Sequence, residues 1–139
     1  MLIYHLLDYF FLIFHTSLVI FNITGWIFKK TRKLNLITLS LTAFSWYILG
    51  IFYGFGYCVC TDWHFTVREK LGYIDPSMSY IHFLLLQLTG ISFNEKLVII
   101  CTVAVFFISL AASITLNSVD FYAHIREKKY NESQRDKNR

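Results

Sequence analysis

Charge is scarce in this chain: Asp, Glu, Lys and Arg make up 16% of its 139 residues, against 55% hydrophobic. A soluble domain of this size has too little interior to hide so much apolar surface, which excludes an ordinary soluble fold. The first apolar run has no basic segment before it and no small-residue cleavage site after it, and it is too long for a secretory signal. It is expected to persist as a permanent helix. Cysteines are few, three in all, and none has the C-x-x-C spacing that turns two sulfurs toward one zinc ion or redox centre. No internal repeat is present, which makes a transporter the weakest reading, and no catalytic constellation is complete.

What is abundant is aromatic: Phe occurs 14 times and Tyr 9 times, often at the ends of apolar runs, where amphipathic rings favour the boundary of lipid and water. Three stretches, residues 2–28, 36–57 and 97–117, are long enough to cross a hydrocarbon layer, which takes about 20 helical residues. A fourth run, 80–93 (YIHFLLLQLTGISF), is too short to cross and contains His82 and Gln87. It reads as an interfacial or re-entrant helix. The expected fold is all-α: an integral membrane bundle of three transmembrane helices with one short helix on the outer side. Residues 1–125 form its single domain, 58–96 are an outer loop with short helices, and 126–139 are a polar, partly disordered cytoplasmic tail.

Basic residues set the orientation. Lys29, Lys30, Arg32 and Lys33 lie in the first connection, and Arg126, Lys128, Lys129, Arg135, Lys137 and Arg139 lie after the last span. Only Arg68, Lys70 and Lys96 lie between. Loops rich in Lys and Arg stay on the cytoplasmic side, so the amino terminus is expected outside and the carboxyl tail inside a bacterial inner membrane. That arrangement needs an odd number of crossings. The net charge of +4 sits where this rule puts it, so the expected partner is the lipid bilayer, with other membrane proteins or a homo-oligomer, and not nucleic acid.

Polar groups at membrane depth are costly and mark candidate sites. Asp8, His15 and Asn22 recur every seven residues, which keeps them on one stripe of the first helix, with His5 near the same face. At about 1.5 Å per residue, Asp8 falls near the outer surface, level with Cys58, and His15 within the outer half. His15 has an ordinary structural reading as well: a hydrogen bond to a Ser or Thr such as Thr38, Thr42, Ser45, Thr102, Ser109 or Ser113, worth about 0.6 kcal/mol. Gly50 with Gly54, and Ser109 with Ser113, are small-xxx-small pairs expected to pack helices closely.

The stretch YCVCTDWHFTVREKLGY, Tyr57 to Tyr73, is the chain's one mixture of thiols, imidazole, carboxylates and cations. Asp62 or Thr61 reads as a helix N-cap and Gly72 as the stop. Trp63, Val67 and Leu71 would then form an apolar stripe on the membrane, with His64 and Arg68 presented elsewhere, able to hold a carboxylate or anionic head group. Cys58, Cys60, His64 and His82 have the chemistry of metal ligands, but their spacing matches no metal pattern. Thiols packed as small apolar groups are the simpler reading. Asp75 and Pro76 read as a turn before the fourth run.

The run from Cys58 to Gly72, CVCTDWHFTVREKLG, resembles the signature of the bacterial domain-of-unknown-function 2784 family of small membrane proteins. Cys58, Thr61, Arg68 and Gly72 stand in register with it, as do His15 with Gly25 in the first helix, and Tyr80-Ile81 is similar to the family's Phe-Ile. Val59 stands where the family has Pro, and His64 where it has Glu. The resemblance covers roughly residues 14–93, and it implies an architecture but no activity and no cofactor. Two functional readings follow. The first is an accessory or subunit-type membrane protein that uses its helix faces. The alternative is an enzyme or cofactor-binding protein with an outward-facing site at head-group depth, built on His15, His64, Asp8 and Arg68.

Overall fold

The computed structural model describes residues 1–54, 56–74 and 79–137, and among these every regular element is helical. The order is α1 (Leu2–Thr24), α2 (Arg32–Phe44), a π-helical turn (Ser45–Leu49), α3 (Gly50–Tyr53), α4 (Val59–Lys70), α5 (Tyr80–Thr89) and α6 (Glu95–Lys137). Three helices are long and apolar enough to cross a membrane: α1, the continuous stretch Arg32–Tyr53, and α6. Large apolar side chains such as Phe10, Ile20, Leu41 and Ile108 face outward, while His15, Asn35, His64, Arg68, His82, Ser109 and Ser113 are buried. This is the distribution a bilayer selects, because hydrocarbon outside removes the penalty for exposed apolar groups and leaves the interior to polar ones.

The first helix stops at Thr24, short of the 28 expected, although the residues that follow are still apolar. Gly25 is the reason. A Cβ there would stand 2.7 Å from the Phe21 carbonyl oxygen and 2.9 Å from Asn35 Nδ2, so glycine lets α2 begin against the end of α1. Asn35, 0% exposed, donates from Nδ2 to the Phe21 carbonyl at 2.8 Å. The next residue of α1, Asn22, donates to Thr42 Oγ1 at 3.1 Å and accepts from Thr38 at 2.8 Å. Thr38 and Thr42, expected as partners for His15, are thus taken by Asn22.

α6 packs on α2 through Ser109 and Ser113, both buried. Its register is pinned where Asn117 Nδ2 donates to the Arg32 carbonyl at 3.1 Å and Arg32 pairs with Asp120 at 2.9 Å. The other small pair behaves differently: Gly54 ends α3 with φ 105° and nothing within 4 Å of its Cβ position, so it serves the chain reversal rather than a helix contact. The π-helical turn inserts an extra residue into the ladder and rephases Trp46 onto Phe106, with ring centroids 4.8 Å apart.

α6 also departs from expectation. The span predicted over 97–117 runs unbroken to Lys137, so the described part of the tail is helical. It contains neither Gly nor Pro, it is rich in Glu, Lys, Arg and Gln, and Lys128 stands four residues before Glu132. The fourth run forms α5, ten residues ending at left-handed Gly90, too short to cross. Tyr80, Phe83 and Leu84 bury it against Leu12 of α1 and Phe65 of α4. The expected turn at Asp75 and Pro76 lies outside the described residues.

Candidate functional site

α4 begins earlier than its cap signals indicate. Cys58 holds the N-cap position in an extended conformation, so Thr61 and Asp62 fall inside the first turn. There the Asp62 carboxylate favours the positive end of the helix dipole. The shift matters for the face that α4 buries: His64, Val67 and Arg68 point inward, and Trp63, 57% exposed, points out. The expectation that Val67 lies on the membrane with Trp63 is therefore corrected, while His64 and Arg68, expected elsewhere than on that stripe, point into the bundle. The carboxylate they hold is the chain's own.

Asp8, one and a half turns into α1, accepts from both. His64 Nε2 lies 2.7 Å from Asp8 Oδ1, and Arg68 Nη1 donates to the same oxygen at 3.2 Å. On its other side, His64 Nδ1 lies 2.8 Å from the Tyr80 hydroxyl. A carboxylate only accepts, so Nε2 carries a hydrogen, and in the neutral ring Nδ1 accepts from the phenol. The result is a chain Asp8–His64–Tyr80 in which the imidazole is 0% exposed. Phe11, Phe65 and Phe83 enclose the imidazole, and the Arg68 guanidinium rests over the rings of Tyr73 and Phe83 at 4.6 and 4.7 Å.

Tyr80 continues the line inward. Its ring meets that of His15 with centroids 4.0 Å apart, and both line a cavity of about 380 Å³ between the helices. Cys58, Thr61, Asn22, Thr42, Trp46 and Ser109 also line it, among mostly apolar side chains. Burial pushes the Tyr80 phenol above the ordinary tyrosine range, and the Asp8 charge pushes it the same way while Arg68 opposes. Its stabilising contribution is present below the ordinary tyrosine value, about pH 10, and is lost as pH rises past it toward the raised value. In a spectrophotometric alkaline titration one phenol should ionise after the others, and Tyr80→Phe should remove that late step. A variant that instead removes an ordinary step near pH 10 would contradict the buried hydrogen bond.

All four residues expected in a site are therefore near one another: Asp8, His64 and Arg68 in direct contact, and His15 one ring away through Tyr80. His15 makes none of the expected bonds to Ser or Thr. His5 is exposed and stays apart. The weak metal set is not gathered at one point. Both nitrogens of His64 are engaged, and His82 Nε2 lies 2.9 Å from the Phe93 carbonyl, fastening α5 to the start of α6. Among the described residues no group of three or more His, Cys, Asp or Glu could hold a metal ion. Burial also pushes the Cys60 thiol up, which favours the protonated form over the thiolate a metal or an electrophile needs.

Sequence reasoning missed Tyr80. The signal was the pairing of a buried imidazole, which has two nitrogens to satisfy, with a nearby phenol that needs a partner when buried. No curated protein and no solved structure matches this chain. A family model does: the one described as Protein of Unknown function (DUF2784) matches residues 5–118, so the chain, with its three long apolar helices and the histidine site between them, belongs to that family.

Proposed function

We propose that this is a multi-pass membrane protein that holds a lipid-soluble, amphipathic ligand in the cavity and exchanges protons with the ligand's polar end. One observation carries the reading: the hydrogen-bonded chain Asp8–His64–Tyr80 ends on the wall of a largely apolar cavity. With His64 neutral, the Tyr80 hydroxyl donates a hydrogen bond to Nδ1 and offers the cavity an acceptor. When His64 takes up a proton, Nδ1–H donates to Tyr80, and the phenolic proton turns into the cavity as a donor. Asp8 fixes the ring and offsets the charge of the imidazolium, and Arg68 holds Asp8 in position through the bond to Oδ1.

The count of Lys and Arg supports an amino terminus outside and a carboxyl end in the cytoplasm of a bacterial inner membrane. The relay then opens on the outer side, at head-group depth. A second reading, a subunit of a larger membrane assembly, draws support from α6, whose last turns extend past the bundle with Phe121, Tyr122 and Tyr130 exposed.

Mass spectrometry of protein purified in mild detergent tests the ligand reading. Wild type should carry one amphipathic species in stoichiometric amount, and Val19→Phe, which fills the cavity, should lose it. Identical lipid profiles in the two would remove the support.

A further inference from the structure

Two buried polar side chains line the cavity without a hydrogen-bond partner among the described residues. His15 is 8% exposed, and its Nδ1 is buried without a hydrogen-bond partner. Ser109 is 4% exposed, and its hydroxyl is likewise unbonded. Leaving such a group unsatisfied in an apolar interior is costly, so two on the wall of one cavity point to polar atoms of a ligand.

Their levels differ. His15 stands two turns, about 10 Å, from Asn22 along α1. Asn22 is bonded to Thr42, which lies about 15 Å along α2 from Arg32, and Ser109 lies about 12 Å along α6 from Asn117, the residue bonded to Arg32. Ser109 therefore belongs to the Asn22 level, roughly 10 Å below His15. Aromatic rings mark both levels, Tyr80 against His15 and Trp46 against Phe106. A single-headed lipid satisfies one polar station and leaves the other bare. A flat ring with an oxygen on each of two opposite edges satisfies both, since a hydrogen bond at either end brings its span to roughly 10 Å.

We propose that the cavity binds a lipid-soluble quinone or its quinol, with one ring oxygen at His15, the opposite oxygen at Ser109, and the apolar tail leaving between the helices into the bilayer. Tyr80 lies beside the His15 station, so the relay ends next to the ring oxygen held there and can donate a hydrogen bond to a quinone oxygen or accept one from a quinol hydroxyl. This assignment rests on the ligand-and-relay reading above and concerns binding and proton exchange alone.

Decylubiquinone added to the full chain in phosphatidylcholine nanodiscs supplies the test, read by quenching of tryptophan fluorescence. Quenching should saturate, and the saturable part should vanish in Trp46→Phe. His15→Ala and Ser109→Ala should each weaken it about tenfold, the factor expected for one lost hydrogen bond. Ser109→Ala is small enough to preserve packing, and an unchanged circular dichroism spectrum with a single elution peak checks that both variants fold. Linear quenching, equal in wild type and variants, would show partitioning into lipid and overturn the proposal. If dodecanol or palmitate occupies the cavity and decylubiquinone does not displace it, the quinone assignment falls while the ligand reading stands. If no amphiphile binds saturably, both fall.

Discussion

Replacing Asp8 with alanine is expected to cost about 3–5 kcal/mol of stability, the largest effect of any substitution considered for this chain. One carboxylate oxygen accepts from both His64 and Arg68, whose side chains are 1% and 10% exposed, against 16% for Asp8. With so little solvent in reach, removing the acceptor takes a charge-assisted partner from a guanidinium packed against two aromatic rings and from an imidazole N–H among phenylalanines. Asp8→Asn keeps the shape and one acceptor oxygen, so its loss should be smaller. Adding Arg68→Met to Asp8→Ala should recover part of the deficit, because the second change removes a buried charge whose carboxylate has gone. Thermal unfolding followed by circular dichroism in one detergent ranks the four proteins. Equal midpoints for wild type and Asp8→Ala would show that the ion pairs contribute nothing.

At the opposite end of the bundle, Ser113→Leu should destabilise by about 3 kcal/mol, whereas Ser113→Ala should change little. Ser113 is 0% exposed where α6 lies on α2, and a leucine there would push apart the contact that Asn117 and Arg32 complete. Its hydroxyl contributes only a long contact of 3.5 Å with Asn117, so the small volume matters and the oxygen does not. The same melting experiment decides it. A leucine variant as stable as the alanine variant would mean that α6 can slide away at no cost.

The three long apolar helices were legible because lipid selects for unbroken hydropathy, a signal independent of detailed packing. Their ends were not. Trp26, Ile27 and Phe28 continue the apolar composition past the helix, and only the close approach at Gly25 reveals the turn. The residue types of the site were legible for the converse reason, since Asp8, His15, His64 and Arg68 are expensive in a membrane and call for partners. The inward face of α4 was misjudged because an apolar stripe was assigned to the membrane, leaving the polar residues no stated place. With hydrocarbon on one side and other helices on the other, the polar stripe turns inward as soon as Asp8 offers it an acceptor. Tyr80 escaped notice because a tyrosine beside an apolar run serves equally well as an interfacial anchor. Its hydroxyl nonetheless lies 2.8 Å from His64 Nδ1. A phenol has a donor for an imidazole nitrogen, and a phenylalanine has none.

The unbroken α6 works as a measuring rod. From Glu95 to Asp120, where Arg32 clamps it, it rises about 38 Å, and from there to Lys137 about 26 Å more. A flexible tail of the same seventeen residues would let whatever it touched wander over the membrane surface. A rigid one fixes a standoff height, and because the helix is continuous, any sideways load on its far end is delivered as torque to the Arg32–Asp120 joint.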